Sequence, residues 1–392
     1  MIQRGKHCII AAMVYLDNSA ATPICEAAAE AVTRGLKDLF GNPSSLHTLG
    51  ARAARELEWA RRTASSALHI EPHELIFTSG GTEANNMAIL GAAGTHLEKK
   101  HFLTSAGEHP SVLEIFRRLA HMGAAVTLLP LTPEGQVSPS SVTGHLRDNT
   151  ALISIMAVNN ETGAVNDIAA VSREVHAYYA GRKPPLIHTD AVQAFTKIPL
   201  KTVSAAADLM TVSAHKLHGP KGAGALTVKK GVSLSPLFFG GGQERGLRPG
   251  TEPLPSILGF AAAVSAAPSA EAQRENFRSI YEYAVTRLQK LPFVQINSSG
   301  ESTYAILNIS IPGVKSETML HFLAARDIFV SSGSACAKGK KSHVLTAMGL
   351  PDSRVDSALR ISFSRENTQT DIDELIEGLT AGYASIIKKG CK

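Results

Sequence analysis

The chain has 392 residues, 44% of them hydrophobic and 19% charged, with a formal net charge of +5 and a mean hydropathy near zero. That length suits two domains around a large core, the mild and scattered charge offers no face for nucleic acid, and no apolar run approaches a membrane span. Four distant cysteines, Cys8, Cys25, Cys336 and Cys391, show no CxxC spacing, which argues against a disulfide framework or zinc ribbon and suits a reducing cytoplasm.

Residues 1–12, with Arg4 and Lys6 ahead of a short apolar run, read as a disordered extension rather than a signal peptide, with Met13 opening the structured chain. Pro23 starts a helical pattern to about Phe40, 41–45 is a loop, and an amphipathic helix spans about 46–68. Strand Leu75–Thr78 leads through 79–83 into a helix to about Leu97, and strand 102–104 leads to helix Pro110–His121. Strands Ala125–Leu129 and 152–158 precede a helix over 168–179, and strands 186–189, 209–212 and Gly224–Val228 follow. Apolar strands separated by helices specify a mostly parallel sheet covered on both faces, an α/β domain. Ligands of such sheets sit at the carboxyl ends of the strands. The polar segments 79–83, 107–110, 159–163, 190–193 and 213–219 all fall there. Past a glycine run at 240–242, helical patterns at 254–268 and 270–290 and strand-like runs at 293–296, 304–311, 328–331 and 358–363 read as a smaller α+β domain. A final helix is expected to take Thr370 as its N-cap. The expected division is 26–261 for the large domain and 13–25 with 262–392 for the small one.

Lys216 follows a strand and is framed by Ser213, His215 and a Gly219-Pro220 turn. A desolvated lysine in such a place suits a Schiff base with a carbonyl cofactor, although a polar surface loop would look the same. Gly81 and Thr82 open a helix, whose amides and dipole favour a phosphate, as would any ordinary cap. His109, before Pro110, suits stacking on a flat ring or a plain surface position. Asp190, directly after a strand and with Gln193 three residues on, suits a protonated ring nitrogen or a helix cap.

Asp190 in HTDAVQ and Lys216 in SAHK resemble the signature of pyridoxal phosphate (PLP) enzymes of fold type I, aminotransferase class V. The resemblance runs from Tyr15 to the C-terminus. Its most specific points are YLDNSAATP at 15–23, GNPSS at 41–45, VNNETG at 158–163, GGGQERGLRPGT at 240–251 and SSGSAC at 331–336. Together these are similar to the cysteine desulfurases, in the group that includes the housekeeping iron–sulfur and nitrogen-fixation enzymes. The resemblance implies a Schiff base on Lys216, Asp190 on the ring nitrogen, His109 stacked on the ring, and Asn160 and Gln193 near the phenolic oxygen. Gly81, Thr82, Ser213 and His215 would hold the phosphate, joined by Thr251 from a second subunit of a homodimer. Arg360 would clamp the carboxylate of L-cysteine, and Cys336 would attack its sulfur to form a persulfide and release alanine. A cysteine on a segment rich in glycine and lysine is well placed to be a thiolate.

The sequence departs from the family pattern at three points, the first of them minor. Ala21 stands where many relatives carry threonine, the lysine-rich segment after Cys336 is shorter, and the chain ends soon after its last helix. The last two favour a thiolation enzyme or rhodanese-like protein over an iron–sulfur scaffold. The competing expectations are a selenocysteine lyase or another class-V aminotransferase, the latter with no use for Cys336. Zinc on His215-x-x-His218 lacks further ligands nearby, and no GxGxxG follows the first strand to support a dehydrogenase. No metal is expected.

Overall fold

The structure is a computed structural model that describes residues 13–298, 302–332 and 341–390. Its strands, in chain order among the described residues, are β1 (Val14–Tyr15), β2 (Leu75–Thr78), β3 (His101–Ser105), β4 (Ala125–Leu129), β5 (Thr150–Ser154) and β6 (Leu186–Asp190). They continue with β7 (Leu209–Ser213), β8 (Gly224–Val228), β9 (Gln295–Ile296), β10 (Ile306–Ser310), β11 (Ile328–Phe329) and β12 (Ala358–Ser362). The chain forms two compact units, one of Ala21–Asn159 with Val165–Gln273, the other of Met1–Ala20, Asn160–Ala164 and Arg274–Lys392.

The larger unit holds a seven-stranded sheet of order β2-β8-β7-β6-β5-β3-β4. Strands β3 to β7 are parallel, and β8 runs antiparallel to both β7 and β2. Their apolar runs do not alternate because the strands are buried on both faces; β3, β7 and β8 inside the sheet, and β2 at its edge, have no exposed position. Helix α1 spans Glu26–Asp38, α2 Thr48–Ala67, α3 Gly81–Ala93 and α4 Pro110–His121. Helix α4 buries Val112, Leu113, Ile115, Phe116 and Leu119, the stripe expected of a helix lying on a sheet. Helix α3 is buried on almost every side, from Ala84 to Ala93. It stops short of Leu97 because Gly94 takes φ +57° and ends it. The apolar run at 152–158 is a strand only from Thr150 to Ser154. Beyond it the chain turns into the loop where Val158 bridges Val165.

The smaller unit pairs β12, β10 and β9 antiparallel, and β1 with β11 in parallel. Its core gathers Leu16, Phe277, Leu307, Ile309, Ile361 and Phe363 with Ile372, Leu375 and Leu379 of the last helix, Gln369–Gly390. The expected N-cap, Thr370, lies inside that helix. Thr368 caps it instead, its N–H on Asp371 Oδ2 at 2.9 Å and its Oγ1 accepting from Asp371 N at 3.4 Å. Among the described residues, no helix is long and apolar enough to cross a membrane.

Candidate active site

Lys216 ends a short helical turn, Ala214–Lys216, that leaves β7 at its carboxyl end. Thr22 clamps this turn from both sides. Its N–H and its hydroxyl both donate to the His215 carbonyl (2.9 and 3.0 Å), while its Oγ1 accepts from His218 N at 2.7 Å. His218 has φ +65°, and Nδ1 lies 3.0 Å from the Pro23 carbonyl, to which it donates. A left-handed histidine persists only where its surroundings hold it, and here they fix the path on which Lys216 sits.

Asp190 ends β6, 6% exposed, and both its oxygens are held: Val192 N donates to Oδ1 at 3.0 Å and Asn85 Nδ2 to Oδ2 at 2.8 Å. Each carboxylate oxygen keeps a second acceptor site. Gln193 is buried, with its Oε1 accepting from the buried Lys197 Nζ at 2.6 Å, which fixes the amide orientation. His215 Nδ1 lies 2.8 Å from Ser213 Oγ. Burial, then Lys216, Lys221 and Lys197, lower the His215 pKa to about 4, so the ring is neutral at physiological pH. His109 is the N-cap of α4, its ring accepting from Ser111 N. Its neighbour Glu108 is buried, taking Ser105 Oγ at 2.7 Å and Met156 N at 2.8 Å on Oε1. Burial raises the Glu108 pKa to about 8.

An anion cradle opens at the start of α3. Gly80, the N-cap, has φ +154° and no side chain, so no side-chain cap occupies the first amides of the helix. A Cβ on Gly80 would point to within 3.8 Å of Ser213 Oγ, and one on Gly81 would press to 3.0 Å from Val192 Cγ2. Thr82 is exposed at the same turn. Thr251, also exposed, lines a different hollow with Glu83, Phe239 and Arg248.

The smaller unit carries Asn160 and Arg360. Arg360, 4% exposed on β12, donates Nη1 to the Asn160 carbonyl at 3.0 Å and Nη2 to Asp17 Oδ1 at 2.9 Å. Its Nε is buried with no hydrogen-bond partner among the described residues. Cys336 lies outside the described residues, as do Cys8 and Cys391, while Cys25 is half-buried and unbridged. Asn85, Glu108, Lys197, Thr22 and Asp17 escape a reading of the linear chain.

A buried strand-end carboxylate, an uncapped glycine helix start facing Ser213, and a lysine turn beyond the next strand suit the ring nitrogen, phosphate and aldehyde of PLP. They define an α/β enzyme of fold type I that takes this cofactor. Residues 14–375 match the model of the class-V aminotransferases. A cysteine desulfurase of Methanosarcina thermophila is 39% identical over 373 residues, covering 93% of this chain and 90% of its own. That of Dictyoglomus turgidum is 36% identical, with 93% of each chain covered. Among solved structures, a NifS-like protein aligns with a TM-score of 0.87 at 34% identity, over 94% of this chain and 98% of its own. SspA in complex with cysteine aligns with a TM-score of 0.79 at 33% identity, over 90% and 99%. The chain belongs to the class-V aminotransferase family, among the cysteine desulfurases.

Proposed function

We propose that the protein converts L-cysteine to L-alanine and leaves the sulfur as a persulfide on Cys336. When bound, PLP supplies an electron sink conjugated to the substrate amino group. Lys216 provides the Schiff-base amine, Asp190 faces the ring nitrogen and His109 stacks on the ring. Gln193 and Asn160 approach the ring oxygen. The α3 amides of Gly81 and Thr82, with Ser213 and His215, hold the phosphate, and Thr251 joins them from a second copy of the chain. Arg360 binds the substrate carboxylate, a task that its planar fork supports, as does its buried Nε, which has no hydrogen-bond partner among the described residues. The Cys336 thiolate attacks the sulfur of the cysteine. The substrate Cβ–S bond breaks, an S–S bond forms on Cys336, and Cβ keeps the electron pair and takes a proton to become the methyl group of alanine. Sulfur is oxidised and carbon reduced, so no outside oxidant is needed.

The observation that carries this reading is how the segment holding Cys336 is anchored. Ser331 and Arg360 exchange backbone hydrogen bonds of 3.1 and 2.7 Å. On the far side Ser342 donates to Glu161, the residue after Asn160, and Lys341 pairs with Asp352 at 2.8 Å. Both ends are therefore tied within the smaller unit, one of them on the strand of the arginine. A protein thiol, on a thiolation enzyme or an iron–sulfur scaffold, is the receiving group, in a reducing cytoplasm.

Alanine formation from L-cysteine tests the proposal. Cys336→Ala should lose it while keeping the cofactor absorbance, and Lys216→Ala should lose the absorbance of the covalently held cofactor. Full alanine release by Cys336→Ala would refute the desulfurase reading in favour of a transaminase-like reaction. Parallel rates on L-selenocysteine decide between the two chalcogens.

A further inference from the structure

Four side chains of the larger unit form a continuous chain from Asp190 to His109. Asn85, fully buried on α3, spends one Nδ2 hydrogen on Asp190 Oδ2 at 2.8 Å and the other on Ser111 Oγ at 2.9 Å. Ser111 Oγ lies 2.8 Å from His109 Nδ1, and Ser111 N donates to that same Nδ1 at 3.1 Å.

The protons in this chain can be assigned from chemistry. Turning the Asn85 amide over would set its oxygen against the Asp190 carboxylate, acceptor to acceptor, so the charge on Asp190 fixes the amide. The orientation holds although it leaves Asn85 Oδ1 buried with no hydrogen-bond partner among the described residues. Ser111 Oγ accepts from Asn85, which leaves its own proton for His109 Nδ1. A backbone N–H converges on the same nitrogen, so Nδ1 is the lone-pair atom and the ring proton of neutral His109 sits on Nε2.

We propose that Asn85 and Ser111 are positioning residues that transmit the charge of Asp190 to His109, holding its imidazole as the Nε2–H tautomer. The carboxylate at the ring nitrogen and the histidine stacked on the ring are then one coupled unit. This rests on the placement of His109 and Asp190 given under the proposed function. In that placement His109 acts as a proton donor only through Nε2.

The test is 15N NMR of the imidazole nitrogens in histidine-labelled protein, in apoenzyme and holoenzyme, with His109 assigned by loss of its signals in His109→Asn. The expected result is an unprotonated Nδ1 and a protonated Nε2 in both forms of the native protein. Asn85→Ala and Ser111→Ala should give mixed tautomers. Ser111→Thr, which keeps the hydroxyl, should restore the native pattern, and Asn86→Ala, at a half-buried neighbour whose amide donates to the Thr82 carbonyl instead, should leave it unchanged. In the holoenzyme the same two alanine variants should lower kcat for alanine formation by roughly tenfold or more, in the range of a misplaced acid–base group, with little change in KM. A proton on Nδ1 of native His109, or an unshifted tautomer in both alanine variants, overturns the proposal. The apoenzyme spectra stand whether or not the protein releases alanine, so failure here and failure of the desulfurase reading can be told apart.

Discussion

Glu108 carries the clearest pH signature at the scale of single residues. Burial raises its pKa from 4.5 to about 8, so over that interval the folded protein keeps a proton that the unfolded chain has lost. Its contribution to stability is therefore full below 4.5 and disappears as pH rises through about 8. Glu108→Gln keeps the acceptor for Ser105 and Met156 without the titration. The Tm of this variant relative to the native protein should rise steadily between these two pH values, and parallel Tm profiles would contradict the assignment. His188 works in the opposite sense. Buried between Ser154 Oγ (2.8 Å) and Thr211 Oγ1 (3.2 Å), its pKa is lowered by desolvation from 6.5 to about 3. Its neutral ring favours the fold above 6.5, a contribution lost as pH falls toward 3, so His188→Gln should flatten the acid side of the stability curve. Lys216, Asp190 and His109 could be singled out in the sequence because each sits next to a strand end. Asn85, Glu108 and Thr22 could not, since their partners Asp190, Met156 and His215 lie far along the chain and only the fold brings them together.

The start of α3 shows how tightly an element end is built. A Cβ on Gly224 of β8 would lie 2.7 Å from Gly80 Cα and 2.8 Å from the Val212 carbonyl. Neither backbone atom can move without shifting the cradle. Gly224→Ala should cost about 1–3 kcal/mol, the usual penalty for overpacking, and weaken PLP binding to the apoenzyme. Thermal melting and a fluorescence titration with PLP measure the two effects, and unchanged values would contradict the close fit. At this scale much was legible. Helix Pro110–His121 and strands Ala125–Leu129 and Gly224–Val228 have the bounds that their apolar patterns give. Patterns fail where burial outlasts the element. Ile155 to Val158 are as buried as the strand before them, yet they belong to a loop. Short helices such as Lys201–Ala206 and His343–Ala347 have too few turns to show a period.

The larger unit leaves Phe40 (73% exposed), Leu46 (103%) and Phe239 (88%) open to solvent. The proposed homodimer, with Thr251 given across to a second site, would cover such side chains. Sedimentation should find the native protein as a dimer, with Phe40→Glu shifting it toward monomer and lowering PLP occupancy; a native monomer with full occupancy would contradict the sharing. In the proposed function Lys216 and Asp190 hold the cofactor, but the reaction is set by Cys336, far along the chain from both. The most direct measurement is therefore peptide mass spectrometry of the holoenzyme after brief exposure to L-cysteine without an acceptor. One added sulfur on the peptide containing Cys336, with one alanine released per site, is the predicted result. Alanine release with that peptide unmodified, or the sulfur on Cys25 instead, would contradict it.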